Sequence, residues 1–182
     1  MKGRGEKGVT LIEIAVVLAI VGIMALFMAP AIGEWLENYR LRQAAREMSS
    51  DLQFAKIKAI SMGRNCTVVF QQVVSGTQYA YVIFPDYDSD LELDSGNETN
   101  EIIKMAVFKR NIAYDTSEGG GDGVDFPDVG SYPAVAFNPR GLPRDSSGPL
   151  GNPGSIFIQN TKNNKKRQVT LSPAGGISIN DY

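Results

Sequence analysis

Chemistry in this chain rests on carboxylates and amines, because the usual catalytic groups are missing. Its 182 residues include no histidine and a single cysteine, Cys66. The commonest general base and the commonest zinc ligand are therefore absent. A Ser-His-Asp arrangement is excluded, and no spacing suits a Ser-Lys dyad. One cysteine excludes an internal disulfide and a cysteine metal cluster, leaving a buried inert thiol or a bridge to another chain. Two charged runs remain. Asp86-Tyr87-Asp88-Ser89-Asp90 alternates carboxylates as the start of a calcium loop does, since a hard cation wants several oxygens on a tight turn. Leu91 stands where such a loop carries glycine, and Asn97 falls at its twelfth position with Glu98 one beyond. Without a metal the same run reads as a solvated acidic hairpin loop. Calcium at Asp86, Asp88 and Asp90 is the one cofactor the sequence offers; otherwise none is expected. Lys162, Lys165, Lys166 and Arg167 place four bases within six residues, which on their own read as a basic hairpin turn. Gly119–Gly123 lacks the Lys-Ser/Thr of a phosphate loop and reads as a flexible loop.

The chain that carries these groups changes composition sharply along its length. Met1–Gly8 holds Lys2, Arg4 and Lys7 against Glu6. The nineteen residues from Ile14 to Ile32 are uncharged, and at about 1.5 Å each they span roughly 28 Å, enough for the hydrocarbon core of a bilayer. The basic leader predicts that the N-terminus stays cytoplasmic and the remainder lies outside. A secretory signal would show a shorter apolar region, about 7–15 residues, with a small-residue exit. Here the run passes directly into Gly33-Glu34-Trp35. Glu13 stands at the lip of the run. A charge at the bilayer centre costs on the order of 2.5–3.5 kcal/mol, so this carboxylate marks either a function or the headgroup level.

Beyond the run, Leu41, Ala45, Met48, Leu52, Ala55 and Ala59 recur at steps of 4, 3, 4, 3 and 4, one stripe of an amphipathic helix. Joined to the apolar run, the helix extends from about Thr10 to Met62, with Gly63 as its stop. The texture then turns to short β-branched and aromatic runs. Strands are expected at Thr67–Val74, Tyr79–Phe84, Ile102–Phe108, Ala134–Phe137, Ser155–Gln159, Arg167–Leu171 and Gly176–Ile179. The fold class is α+β: a long N-terminal helix followed by an antiparallel sheet domain. The expected divisions are a leader 1–8, a membrane helix 9–32, an amphipathic helix 33–63 and a β-rich domain 64–182. Residues 86–128 carry twelve acids against three bases, and 134–182 six bases against two acids.

Gly8-Val9-Thr10-Leu11-Ile12-Glu13-Ile14 after a short basic leader resembles the prepilin signature of type IV pilins and type II secretion pseudopilins. The resemblance implies cleavage by a prepilin peptidase between Gly8 and Val9 and methylation of the new Val9 amine, a position where the family most often has phenylalanine. It implies that Glu13 pairs with the N-terminal amine of a neighbouring subunit, and Pro30 lies where pilins commonly carry a helix-perturbing proline. A second resemblance covers the tail. Phe137-Asn138-Pro139-Arg140-Gly141, Gly154–Ile158 and Arg167–Gly175 look like the C-terminal domain of the GspH/FimT minor pilin family, with Gly176 where members often have arginine. The implied protein is a non-enzymatic minor pseudopilin of a type II secretion pseudopilus. It would sit in the inner membrane with a periplasmic head, and its partners would be other pseudopilins or pilins, the prepilin peptidase, the inner-membrane assembly platform and membrane lipid. The alternative in the same family is a FimT-like pilin for pilus assembly or DNA uptake, in which Lys162, Lys165, Lys166 and Arg167 would contact DNA phosphates. A membrane-anchored periplasmic enzyme is a distant third, disfavoured by the missing histidines.

Overall fold

The structure, a computed structural model, describes residues 8–94, 99 and 101–182, without the side chains of 26–31. The expected leader bases Lys2, Arg4 and Lys7, the Pro30 ring, and Asn97 and Glu98 lie outside the described residues and side chains. The chain forms two compact units, one ending at Leu36 and one from Glu37 to Tyr182.

Helix α1 (Leu11–Met62) opens in the first unit. Thr10 starts it: its carbonyl accepts from the Glu13 and Ile14 amides at 3.1 and 3.3 Å, and its hydroxyl accepts from the Glu13 amide at 3.3 Å. Thr10 and Glu13 thus hold the positions of a capping box. Described side chains of the uncharged run are exposed, among them Ile14, Val17, Ile20 and Met24. Among the described residues no helix is long and apolar enough to cross a membrane, and the span expected over 9–32 runs through the undescribed side chains of 26–31.

In the second unit the expected stripe is the buried face of α1. Leu41, Ala45, Met48, Leu52, Ala55 and Ala59 are each at most 3% exposed. Gly63 follows the helix at φ +66°, the left-handed stop that glycine adopts without penalty. Among the described residues thirteen strands come after it: β1 (Asn65–Phe70), β2 (Val73–Val74), β3 (Thr77–Gln78), β4 (Tyr81–Asp86), β5 (Lys104–Ala106), β6 (Ile112–Tyr114), β7 (Asp128–Val129), β8 (Tyr132–Phe137), β9 (Pro143–Asp145), β10 (Gly148–Pro149), β11 (Gly154–Asn160), β12 (Lys166–Leu171) and β13 (Ile177–Asp181). Every strand pair among them is antiparallel. One sheet runs β10-β9-β8-β1-β4-β5 with β7 on β8, a second runs β13-β12-β11-β6, and β2-β3 is a small hairpin.

Strands β1, β4 and β8 alternate residues between two cores, as a pleated sheet buried on both faces must. Cys66, Val68, Phe70, Tyr81, Ile83, Val135 and Phe137 join the α1 stripe and Ile156, Ile158, Val169 and Leu171 of the second sheet. Val69, Val82, Phe84, Ala134 and Ala136 pack on the other face with Leu91.

The expected strands differ in their limits. Thr67–Val74 breaks after Phe70 because Gln71 turns to φ +59°, and the chain re-forms as the β2-β3 hairpin. Ile102–Phe108 keeps only Lys104–Ala106 as β5. The short β6, β7, β9 and β10 carried no run long enough to read. The turn Asn138–Gly141 between β8 and β9 is built by Asn138, whose side chain accepts from the Arg140 and Leu142 amides at 2.9 and 3.1 Å. It rests on α1, where a Cβ at Gly141 would meet Ile60 at 2.8 Å, and Lys56 donates to the Gly175 carbonyl at 3.0 Å. Both turns that carry the tail resemblance are therefore seated on the last two turns of the helix.

Candidate functional site

Gly8 and Val9 lie outside any regular element and are exposed, Val9 at 67%, with nothing within 4 Å of where a Gly8 side chain would begin. An exposed, non-helical bond is what a peptidase can draw into an extended conformation. Three residues past Thr10, the Glu13 side chain is exposed at the positive end of the helix dipole, a position favourable to a carboxylate and within reach of an approaching amine. Gly8 and Val9 therefore immediately precede the helix end that carries Glu13. Pro30 lies within the backbone of the same helix.

The basic run does not form one patch. Lys166 bonds Asp115 at 2.5 Å and Arg167 pairs with Asp181 at 2.8 Å. Lys162 approaches Glu37 at 3.9 Å with most of its side chain in solvent, and Lys165 is exposed. Asp115 is buried and also accepts from Ser117 and from the Tyr182 hydroxyl at 2.8 Å. Burial pushes its carboxyl upward, but the bonds from Lys166, Ser117 and Tyr182 together hold it well below the usual carboxylate range.

A second buried carboxylate was not anticipated. Glu37 accepts from Asn160 at 2.9 Å, Asn111 at 3.0 Å and Arg40 at 2.8 Å, while Asn163 bonds Asn38 at 2.9 Å. The Asn160 bond, aided by Asn111, Arg40 and Lys162, outweighs burial and lowers the Glu37 carboxyl. These bonds fasten the loop before β6 and the β11-β12 turn to the first residues of α1 in this unit. The sequence held a signal for it, because Glu37 lies four residues before Leu41 and so continues the buried stripe backward. Asp51, beside the stripe, is likewise buried, accepting from the Tyr81 hydroxyl and pairing with Lys104 at 2.6 Å.

The acidic run brings its three carboxylates together. Ligand oxygens of Asp86, Asp88 and Asp90 all lie within 4.8 Å of one another. Asp86 is 1% exposed, and its oxygens accept from the Thr67 hydroxyl at 2.9 Å and the Ser89 amide at 2.6 Å. Asp90 accepts from the Glu92 amide at 2.7 Å. Burial, with Asp90 and Asp88 adding to it, raises the Asp86 carboxyl despite those bonds. Leu91, at the position where a calcium loop carries glycine, has φ +69° and plugs the second core. Cys66 is fully buried between Pro85 and Phe137 on neighbouring strands, and burial pushes its thiol up to about 12, so it is out of reach of another chain.

Comparison with known proteins accounts for both ends of the chain. Residues 44–175 match the family described as type II transport protein GspH, and residues 3–29 match the prokaryotic N-terminal methylation motif. The pilin-like protein PilA1 of Thermus thermophilus is 25% identical over 170 residues, covering 93% of this chain and 96% of its own length. Among solved structures, the minor pseudopilin EpsH from the type 2 secretion system of Vibrio cholerae aligns with a TM-score of 0.49 at 11% identity, covering 78% of this chain and 97% of EpsH. The type IV minor pilin FimU of Pseudomonas aeruginosa aligns with a TM-score of 0.49 at 15% identity, covering 79% and 90%. Spanning most of the sheet domain and the helix beneath it, the family match settles the assignment: the chain belongs to the GspH family of type II transport proteins.

Proposed function

We propose that this chain is a minor pseudopilin of a type II secretion pseudopilus, a subunit whose work is assembly. One observation carries the reading: a GspH-family head and an N-terminal methylation motif occur on one chain, joined by α1. Prepilin peptidase cuts between Gly8 and Val9, and the Val9 amine is methylated. The apolar part of α1 holds the subunit in the inner membrane and then packs in the filament core. Glu13 receives the N-terminal amine of a neighbour, which offsets the cost of a carboxylate in an apolar setting. The head faces the periplasm and meets other pseudopilins or pilins and the assembly platform.

The DNA-uptake reading has less support. Lys166 and Arg167 already neutralise Asp115 and Asp181, which leaves fewer charges to displace counterions from phosphates. The test is Glu13→Val. It removes the partner carboxylate while raising the apolarity of the helix. The expected variant inserts and is cleaved normally but fails to enter filaments; normal incorporation would overturn the role given to Glu13.

A further inference from the structure

The hydrogen bonds at Glu37 gather more than polar side chains. Asn111 and Asn160 are the tethers, and each lies beside exposed bases: Lys109 and Arg110 before the first, Lys162 and Lys165 after the second. The two loops also bond each other, the Thr161 amide donating to the Asn111 carbonyl at 2.9 Å. Arg42, about one turn along α1, lines a cleft of about 430 Å³ with Asn38, Lys165 and the Arg167–Asp181 pair. Glu37 itself is engaged by Asn160, Asn111 and Arg40, with Lys162 at 3.9 Å. The helix start of the second unit is thus flanked by loops that carry Lys109, Arg110, Lys162 and Lys165, with Arg42 on the helix itself, a basic ring in which Glu37 and Asp181 are the intervening acids.

The densest acidic run, Asp86–Asp90, lies at the other end of the same helix segment. Strand pairing sets Asn65, just past Gly63, opposite Asp86, and Asn65 bonds Ser89 at 2.9 Å. The helix between Glu37 and Met62 is roughly 39 Å long at 1.5 Å per residue. With screening over about 8 Å at physiological salt, the acidic turn cannot cancel the field of the basic ring.

Chain connectivity limits how far the ring can lie from the uncharged run. Four residues lie between Ile32, the end of the uncharged run, and Glu37, and the five steps reach at most about 18 Å. We infer that the basic ring is a docking surface for anionic lipid headgroups, which seats the head on the membrane while the subunit awaits assembly. The inference rests on the membrane anchor proposed above. Bases beside a bilayer gain from its negative surface potential, and the gain falls within a Debye length. Such a contact is firm in the membrane pool and released as the subunit is drawn outward.

The test reconstitutes the full chain in nanodiscs of phosphatidylcholine alone or with one-third phosphatidylglycerol, and follows amide hydrogen exchange. Anionic discs should slow exchange at least threefold over 109–112 and 161–165, and 0.5 M salt should abolish the difference. Arg110→Glu combined with Lys165→Glu should abolish it too, while exchange in β1 and β4 stays slow and reports an intact fold. Equal exchange in both discs overturns the inference and leaves the anchor standing. A chain that leaves the discs overturns both. Protection that follows protein density rather than lipid charge overturns it in favour of a neighbouring subunit, and protection by duplex DNA but not by anionic lipid overturns it in favour of nucleic acid.

Discussion

Asp115 shows how one carboxylate can be buried without a net cost. Lys166, Ser117 and Tyr182 converge on it, and the Tyr182 ring meets Phe157 edge-on at 5.3 Å, so the chain's last residue is tied into the second sheet. Because its folded-state pKa is lowered, the stability it adds is fully present above the ordinary carboxylate range, begins to fade as pH enters that range, and is lost only as pH falls through the lowered folded-state value. Asp115→Asn should cost about 2 kcal/mol near neutral pH, and the gap from wild type should begin to shrink as pH falls below about 4 and go on shrinking at lower pH. Urea melts across pH would check this; a gap constant with pH would contradict it. At the acidic turn, Asp86 and Asp90 already serve as acceptors for Thr67, Ser89 and Glu92. Two of the turn's three carboxylates are thus engaged within the chain. Our account expects the same melting temperature in millimolar calcium as in chelator, whereas a rise growing with calcium by mass action would make the turn a metal site. The alternating acids were legible in the sequence, but their bonds to Thr67 and Ser89 depend on strand pairing and were not. Glu37 was legible in principle, since only its helical phase was needed, yet a charge in phase with an apolar stripe is easily read as solvated.

Among the elements, α1 was the most legible, because its 4-3 spacing repeats over enough turns to fix one face. Short strands were the least legible: two or three residues such as those of β6 and β9 show no period, and their pairing is set by partners far along the chain. Close approaches between elements were equally hidden. Gly154 opens β11 where a Cβ would fall 2.1 Å from the ring of Phe126, which stacks on Phe70 at 5.6 Å between centroids and 3° between planes. Gly154→Ala should therefore destabilise by about 1–3 kcal/mol through overpacking. Gly151→Ala, with nothing within 4 Å, should stay within about 0.5 kcal/mol of wild type. Denaturant melts of the two variants compare the elements directly, and equal losses would mean that the β11 start and Phe126 are not packed as described.

For the whole molecule, the order of regimes along the sequence — basic leader, uncharged run, acidic middle, basic tail — already stated its logic. The tertiary structure adds a polarity that composition could not show. Bases of the β11-β12 turn come to the helix start, and the acidic turn comes to its end. The central claim, however, lives at the N-terminus, where Gly8 and Val9 stand exposed before the Thr10 cap and Glu13. It is that this GspH-family chain is processed as a prepilin. Intact-mass and N-terminal peptide spectrometry of the wild-type protein, taken from membranes that contain a prepilin peptidase, tests it directly. The predicted chain begins at Val9 and bears a methyl group on its amine. A chain that keeps Met1, or one that begins near Ala25 or Ala29 as a secretory signal would dictate, would contradict the account.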